Sequence, residues 1–251
     1  MDSDRLQSEQ FDQLQAQYEA HYDDPTTQAY RHRFMNAPMF DGLDLSGMQV
    51  LEAMCGSGQT TEYLLSKGAS VTGLDVSRKQ IDSFRRRWPQ CNAICASILD
   101  STLEDASFDC VVVVAGLHHV QPHVHAAVAE IYRVLKPGGY FCFIEPHKGS
   151  LPDSIRKVWY RRDTRFFGEN EESIDLPRLK DAYASKFEFI RESYQGNIAY
   201  LFVYSSMILR LPLRLKPLYT PFLIAIEAAI NRLQGKLTSC FVACQWRKLQ
   251  S

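Results

Sequence analysis

Residues Val50 to Thr60 read VLEAMCGSGQT, an apolar strand that carries one carboxylate, Glu52, and then breaks into glycine and small polar residues. A strand running through a glycine-rich turn into a helix aims backbone N–H groups at a crevice on the carboxyl edge of a sheet, where open α/β folds bind ligands. The turn lacks the third glycine of a dinucleotide fingerprint, so Gly56 and Gly58 alone say little for NAD. Glu52 stands where a pyrophosphate would approach, and its charge repels an anion while attracting an ammonium or a sulfonium.

Working outward, strands and helices alternate. VLEAM is followed by a helix over TTEYLLSKG, the strand SVTGLDV, and a helix over SRKQIDSFRRRW that Ser77 caps. CNAICA, FDCVVVVAG and GYFCFIEPH read as further strands, the last two separated by the helix HAAVAEIYRVLK, which is expected to stop at Pro137-Gly138-Gly139. Continuous β-branched runs alternating with helices predict a doubly wound, Rossmann-like α/β sheet covered on both faces. Later come a polar segment over 156–175, a helix over DLPRLKDAYASKF, and the strand FEFIRESY. Two apolar, basic helices are expected over 198–212 and 217–234, broken at Pro212 and Pro217, before a closing strand SCFVACQWRKL. Residues 1–44 read as an amphipathic N-terminal helical segment and 45–251 as the main domain.

With 251 residues, 45% of them apolar, the chain has enough material for one core without staples. The net charge of −1 hides an asymmetry: residues 1–147 carry 11 Lys and Arg against 19 Asp and Glu, whereas 148–251 carry 17 against 10. The later part therefore faces something anionic or packs on the acidic part. Seven cysteines and a polar, acidic start fit reduced thiols in a cytoplasmic protein. The CxxxC spacings of Cys91 with Cys95 and Cys240 with Cys244 read as buried strand residues, and no metal is expected. No apolar run reaches the ~18–20 residues of a membrane span.

Asp75, closing GLDVS 23 residues after Glu52, fits an acid that accepts both hydroxyls of a ribose. Positive charge plus a cis-diol, with no phosphate to cradle, describes S-adenosylmethionine. VLEAMCGSG, GLDVS, FDCVVVVAGLHHV and RVLKPGGYFCFIEP stand in the order and spacing of the class I S-adenosylmethionine-dependent methyltransferases, which residues 45–147 resemble. The resemblance implies seven strands with the last antiparallel, and cofactor contacts from Glu52, Ala53, Cys55, Gly56, Gly58, Asp75, Val76 and Ala115. It also implies adenine recognition by Ser97 and Ile98. Many relatives carry an Asp at Ser97, and Asp100 is a substitute acceptor. It further implies an N-terminal lid over the cofactor, with Tyr22 facing the active site and Arg31 on the methionine carboxylate.

A hydroxyl acceptor must lose a proton, so a base is needed at the mouth of the crevice. LHHVQPHVH supplies His118, His119, His123 and His125, and the fifth strand ends in Glu145-Pro146-His147. The LHH segment resembles that of small-molecule and sugar O-methyltransferases, which implies His119 or His118 as general base, Glu145 as its orienting acid, and His147 in reserve. Imidazole, titrating near ~6.5, can take a proton at neutral pH.

The stretch 198–236 combines apolar helices with Arg and Lys and one acid, Glu227. It reads either as an insert that roofs the acceptor site with its basic residues in water, or as a membrane-surface element. The acceptors expected are a small molecule, a sugar or a lipid-linked compound, and not nucleic acid. The alternatives are C-methylation of a quinone-type ring and a membrane-associated fold that holds the cofactor without catalysis. A dehydrogenase is disfavoured by Glu52.

Overall fold

A computed structural model describes residues 21–160 and 172–250. Most of the first expected helix, with Tyr18, and the centre of the polar 156–175 segment lie outside them. The strands are β1 Gln49–Ala53, β2 Ser70–Asp75, β3 Asn92–Cys95, β4 Phe108–Val114, β5 Leu135–Glu145, β6 Phe187–Gln195 and β7 Phe241–Lys248. The helices used below are α1 Pro25–Tyr30, α2 Ala37–Met39, α3 Thr61–Ser66, α4 Arg78–Arg87, α5 Val124–Val134, α6 Leu151–Tyr160, α7 Leu176–Tyr183 and α8 Lys216–Ile230. All seven strands form one sheet in the order β3-β2-β1-β4-β5-β7-β6. β1 to β5 are mutually parallel, and β7 lies antiparallel between β5 and β6. The expected seven-stranded, Rossmann-like sheet with an antiparallel last strand is what the chain forms.

The run Val111-Val112-Val113 explains why the sheet is central. Side chains alternate across a strand, so Val111 and Val113 enter one apolar cluster with Leu51, Phe141 and Trp246, while Val112 enters the other with Val50, Cys142 and Ile144. Strand order reverses between β1 and β4, and such a switch point opens a crevice at the carboxyl ends of those two strands. Ser77 accepts the Gln80 N–H and starts α4 as expected.

Helix α5 ends at Val134, earlier than the Pro137-Gly138-Gly139 stop read from the sequence. Pro137 disfavours helical backbone at Lys136, and β5 has already begun at Leu135, whose partner is Phe108. The stretch after β6 also differs from its reading. A π-type turn over Tyr200–Tyr204 is followed by turns, a 3-10 turn over Leu213–Leu215 and a single helix, α8. Pro217 does not break a helix there; it sits in the first turn, where its missing N–H costs nothing.

The expectation that the basic residues of this insert point into water fails at Lys216. Its ammonium is fully buried and donates to Asp24 Oδ2 at 2.6 Å, to Thr27 Oγ1 at 2.6 Å and to the His21 carbonyl at 3.1 Å. Asp24 also accepts the Thr26 and Thr27 N–H groups as the N-cap of α1. Glu227, the other buried charge of α8, accepts from the Tyr30 hydroxyl and from the N–H groups of Asn197, Ala199 and Tyr200. The insert and the N-terminal segment are thus joined by two buried polar clamps. No described helix is long and apolar enough to cross a membrane.

Candidate active site

The loop after β1 leaves the strand through left-handed backbone, with φ of 55° at Met54, 55° at Gly56 and 84° at Gly58. Asp75, at the end of β2, holds it: one carboxylate oxygen accepts the Gly56 N–H at 2.9 Å and the other accepts the Ser77 N–H at 2.9 Å. Glu52 is placed differently from the expectation that it meets the ligand's cation. Its carboxylate accepts the Thr60 N–H at 3.1 Å and the Thr61 hydroxyl, tying the loop to the start of α3. Burial pushes its carboxyl up, opposed by those bonds and by Arg31.

Gly58 has no room for a side chain. A Cβ there would lie 2.5 Å from Trp88 Nε1 and 2.7 Å from Thr61 Oγ1, on backbone that L residues avoid. Gly58→Ala is expected to cost about 2–4 kcal/mol in stability. It should also weaken cofactor binding at least tenfold, read by thermal melting and calorimetry. An unchanged melt would show that Trp88 yields freely.

Across the crevice, β4 ends at Val114, and Ala115 just past it has a φ of 54° and its N–H on the Ile144 carbonyl at 2.7 Å. The following turn, Leu117–Val120, hangs on Glu145 at the end of β5. Glu145 is fully buried and accepts the N–H groups of Gly116 at 2.8 Å and Leu117 at 2.7 Å, with His118 Nδ1 at 2.8 Å. Burial pushes its carboxyl up to about 7 despite the backbone bonds from Leu117, Gly116 and His118 and the nearby His119, which all pull it down. An ionised Glu145 makes Nδ1 the protonated nitrogen of His118, which leaves Nε2 with a lone pair. His118 is buried, while His119 is half-buried with its ring 4.0 Å from that of His118. His147 is elsewhere: its Nε2 meets Ser239 Oγ at 2.8 Å, and its ring lies against Tyr194. His123 and His125 are exposed, and His125 stacks on Tyr183.

Arg31, on the π-helical turn after α1, donates to Thr60 Oγ1 at 3.1 Å and to Tyr204 Oη at 3.2 Å. It therefore links the loop after β1 to the insert. Tyr22 packs edge-on against Tyr204, 5.0 Å between ring centres. Tyr204 itself escaped the sequence reading. It is buried, bonded to Arg31, and close enough to Glu145 for that charge to hold its hydroxyl proton on, although burial is the larger cause and Arg31 opposes both. The only local signal was the i, i+4 repeat of Tyr200 and Tyr204, which stack on each other.

At the β3 edge, Ser97 Oγ accepts the Leu99 N–H at 3.1 Å, so its hydroxyl faces adenine recognition as a donor more than as the expected acceptor. Ile98 is buried beside it. Asp100 is exposed, and its N–H closes the turn on the Ser97 carbonyl at 3.3 Å. Cys55 and Ala53 are buried and Val76 is half-buried, Cys55 donating its N–H to the Leu74 carbonyl at 3.0 Å. Around the loop, three buried polar atoms have no protein partner: Ser57 Oγ, Gln80 Oε1 and Arg31 Nε. A guanidinium N–H in need of an acceptor, a carboxylate at the β2 end and a glycine turn with spare polar groups suit an amino-acid-bearing nucleoside. The residues fit S-adenosylmethionine.

A switch-point crevice of this topology, with an acid at the β2 end and an acid-anchored turn between β4 and β5, belongs to the Rossmann-like fold that the class I S-adenosylmethionine-dependent methyltransferases share. Residues 51–143 match the methyltransferase domain family. An uncharacterised methyltransferase of Synechocystis sp. is 34% identical over 119 residues, 47% of this chain and 56% of the relative. Phthiotriol/phenolphthiotriol dimycocerosates methyltransferase of Mycobacterium tuberculosis is 38% identical over 121 residues, 47% of this chain and 43% of the relative. Malonyl-[acyl-carrier protein] O-methyltransferase of Enterobacter lignolyticus is 33% identical over 120 residues, 47% and 46% of the two chains. The chain spans about half the length of these curated relatives. Among solved structures, a possible histamine N-methyltransferase of Thermotoga maritima superposes with a TM-score of 0.62 at 17% identity, covering 96% of this chain and 99% of that one. The N-methyltransferase NodS of Bradyrhizobium japonicum, bound to S-adenosyl-L-homocysteine, gives a TM-score of 0.56 at 16% identity, covering 90% and 89%.

Proposed function

We propose that the chain methylates an oxygen of a small, sugar or lipid-linked acceptor, with His118 as general base and Glu145 as the group that sets its tautomer. The observation that carries this reading is the 2.8 Å contact between His118 Nδ1 and a fully buried Glu145, at the crevice edge where β4 and β5 end. The bound cofactor supplies a methyl group on a sulfonium, open to in-line displacement. Everything else falls to the protein. Asp75, the Gly56–Gly58 turn, Ser97 and Ile98 hold the nucleoside, and Arg31 Nε takes the carboxylate. Residues 21–44 act as a lid that excludes water, and Tyr204 closes the acceptor side.

Glu145 keeps the His118 Nδ1 proton in place so that Nε2 takes the proton of the acceptor hydroxyl as the new bond forms. His119, half-buried beside it, positions the acceptor. The name of one relative, a malonyl-[acyl-carrier protein] O-methyltransferase, supports an oxygen on a carrier-bound acceptor, and that of another, a phthiotriol/phenolphthiotriol dimycocerosates methyltransferase, supports a large non-protein acceptor.

His118→Ala is expected to lower kcat about 100-fold or more, within the range of general-base catalysis. His119→Ala should mainly raise the acceptor KM. Both variants should bind S-adenosylmethionine like the parent in calorimetry. Full turnover in both would remove the base assignment, and methyl label recovered on nitrogen or carbon would remove the oxygen acceptor.

A further inference from the structure

Helix α8 is amphipathic the wrong way round for a helix in water. Its buried stripe carries Lys216, Thr220 and Glu227, of which Lys216 bonds the N-terminal segment and Glu227 bonds Tyr30 of that segment and the loop after β6. Its outer stripe is apolar: Leu218 is 79% exposed and Phe222 68%, and one turn past the helix Leu233 is 93% exposed. Leu218 and Phe222 lie at i and i+4, on one side of the helix. A second apolar stripe is exposed on α6. The Leu151 N–H that starts α6 bonds the Leu237 carbonyl, in the turn region after α8, at 2.8 Å, and α6 exposes Leu151, Ile155 and Val158 at i, i+4 and i+7. Scattered exposed apolar residues are ordinary, but two exposed apolar stripes, one of them on an inverted helix, are not.

The charges on this side choose the occupant. Arg214 precedes α8, Arg232 and Lys236 follow it, and all three are exposed. Between residues 200 and 250 the only acid is Glu227, and it is buried. A second copy of the chain, docked through the same face, would set these cations against one another without an acid to meet them. An anionic bilayer offers both an apolar layer for Leu218 and Phe222 and phosphates for the flanking cations.

We infer that α8 and the start of α6 form a docking face for anionic lipid headgroups, laying the protein on a membrane surface with Leu218 and Phe222 in the acyl boundary. This surface deepens the proposal of a lipid-linked acceptor, because it brings the roof of the acceptor site against the layer in which such a compound resides.

Sedimentation of the full chain with vesicles tests it without cofactor or acceptor, so its outcome is independent of the catalytic reading. Vesicles of phosphatidylglycerol and phosphatidylcholine should pellet the protein at low salt, and pure phosphatidylcholine should pellet at least tenfold less. Leu218→Glu with Phe222→Glu, and separately Arg214→Glu with Arg232→Glu, should each weaken binding tenfold or more, with unchanged thermal melts. If the first pair melts early, Leu218→Ser with Phe222→Ser replaces it, with the same expected loss. Parent protein left in the supernatant, equal pelleting with both lipids, or variants that pellet like the parent would each overturn the proposal. So would a dimer that the Leu218 and Phe222 substitutions dissolve while no vesicle binds.

Discussion

Glu145→Gln is expected to lower kcat about 100-fold or more while leaving the affinity for S-adenosylmethionine within about threefold. The glutamine carbonyl can still accept the Gly116 and Leu117 N–H groups, so the turn that carries His118 and His119 stays in place. Its amide nitrogen, however, now faces His118 Nδ1 as a donor. Nδ1 becomes the acceptor, the proton moves to Nε2, and the ring has no lone pair left for the acceptor hydroxyl. The substitution separates orientation from support: a structural role alone would leave kcat near the parent value.

The same variant carries a second signature. Burial raises the Glu145 carboxyl to about 7 from an ordinary value of 4.5, so between those pH values the folded protein holds a proton that the unfolded chain has released. Stability from this group is therefore complete below pH 4.5 and is lost as pH rises to about 7, because the buried carboxylate must then ionise. Glutamine cannot ionise. Plotted against pH, the melting temperature of the parent relative to Glu145→Gln should fall across that window and level off above it. A parallel pair of curves would mean that the carboxyl ionises as freely in the fold as in the open chain.

Glu227→Ala is the substitution expected to cost most stability, about 3–5 kcal/mol. Four donors meet this carboxylate: the Tyr30 hydroxyl, the Asn197 N–H at 3.2 Å, the Ala199 N–H at 2.6 Å and the Tyr200 N–H at 3.1 Å. Alanine leaves all four buried without an acceptor, and each orphan costs about 1–3 kcal/mol before relaxation. Glu227→Gln keeps an acceptor for part of the set and removes a buried charge, so it should cost about 1–2 kcal/mol. Because Tyr200 and Tyr204 share one turn, the alanine variant should also loosen the Tyr204 contact to Arg31 and weaken cofactor binding. Urea unfolding of the three proteins reads the order directly. An alanine variant within 1 kcal/mol of the parent would show that the insert is not anchored by this group.

The parts of the molecule written in short windows are legible in the amino-acid sequence itself. Val111 to Val113 demand cover on both faces of a strand whatever surrounds them, Ser77 caps α4 through an atom three residues away, and a glycine at Gly58 is required by its own backbone angle. The spacing of Glu52 and Asp75 placed two acids at the ends of neighbouring strands, since β1 and β2 pair in register. Each of these rests on a local period, a cap or a single dihedral. A linear pattern suffices to carry that kind of information.

What only the tertiary structure decided lies in contacts between distant residues. Lys216 reads as a solvated cation until Asp24 and Thr27 surround it, and Glu227 reads as an interruption in an apolar helix until Tyr30 and the loop after β6 bond to it. Tyr204 had no local sign of its place between Arg31 and Glu145, and Glu52 gave none that Thr60 and Thr61 would occupy its carboxylate. A buried charge is tolerated only where another segment supplies its partner. Hydropathy assigns each residue alone, so it sends such charges into water and their apolar neighbours inward, which is the reverse of what α8 adopts.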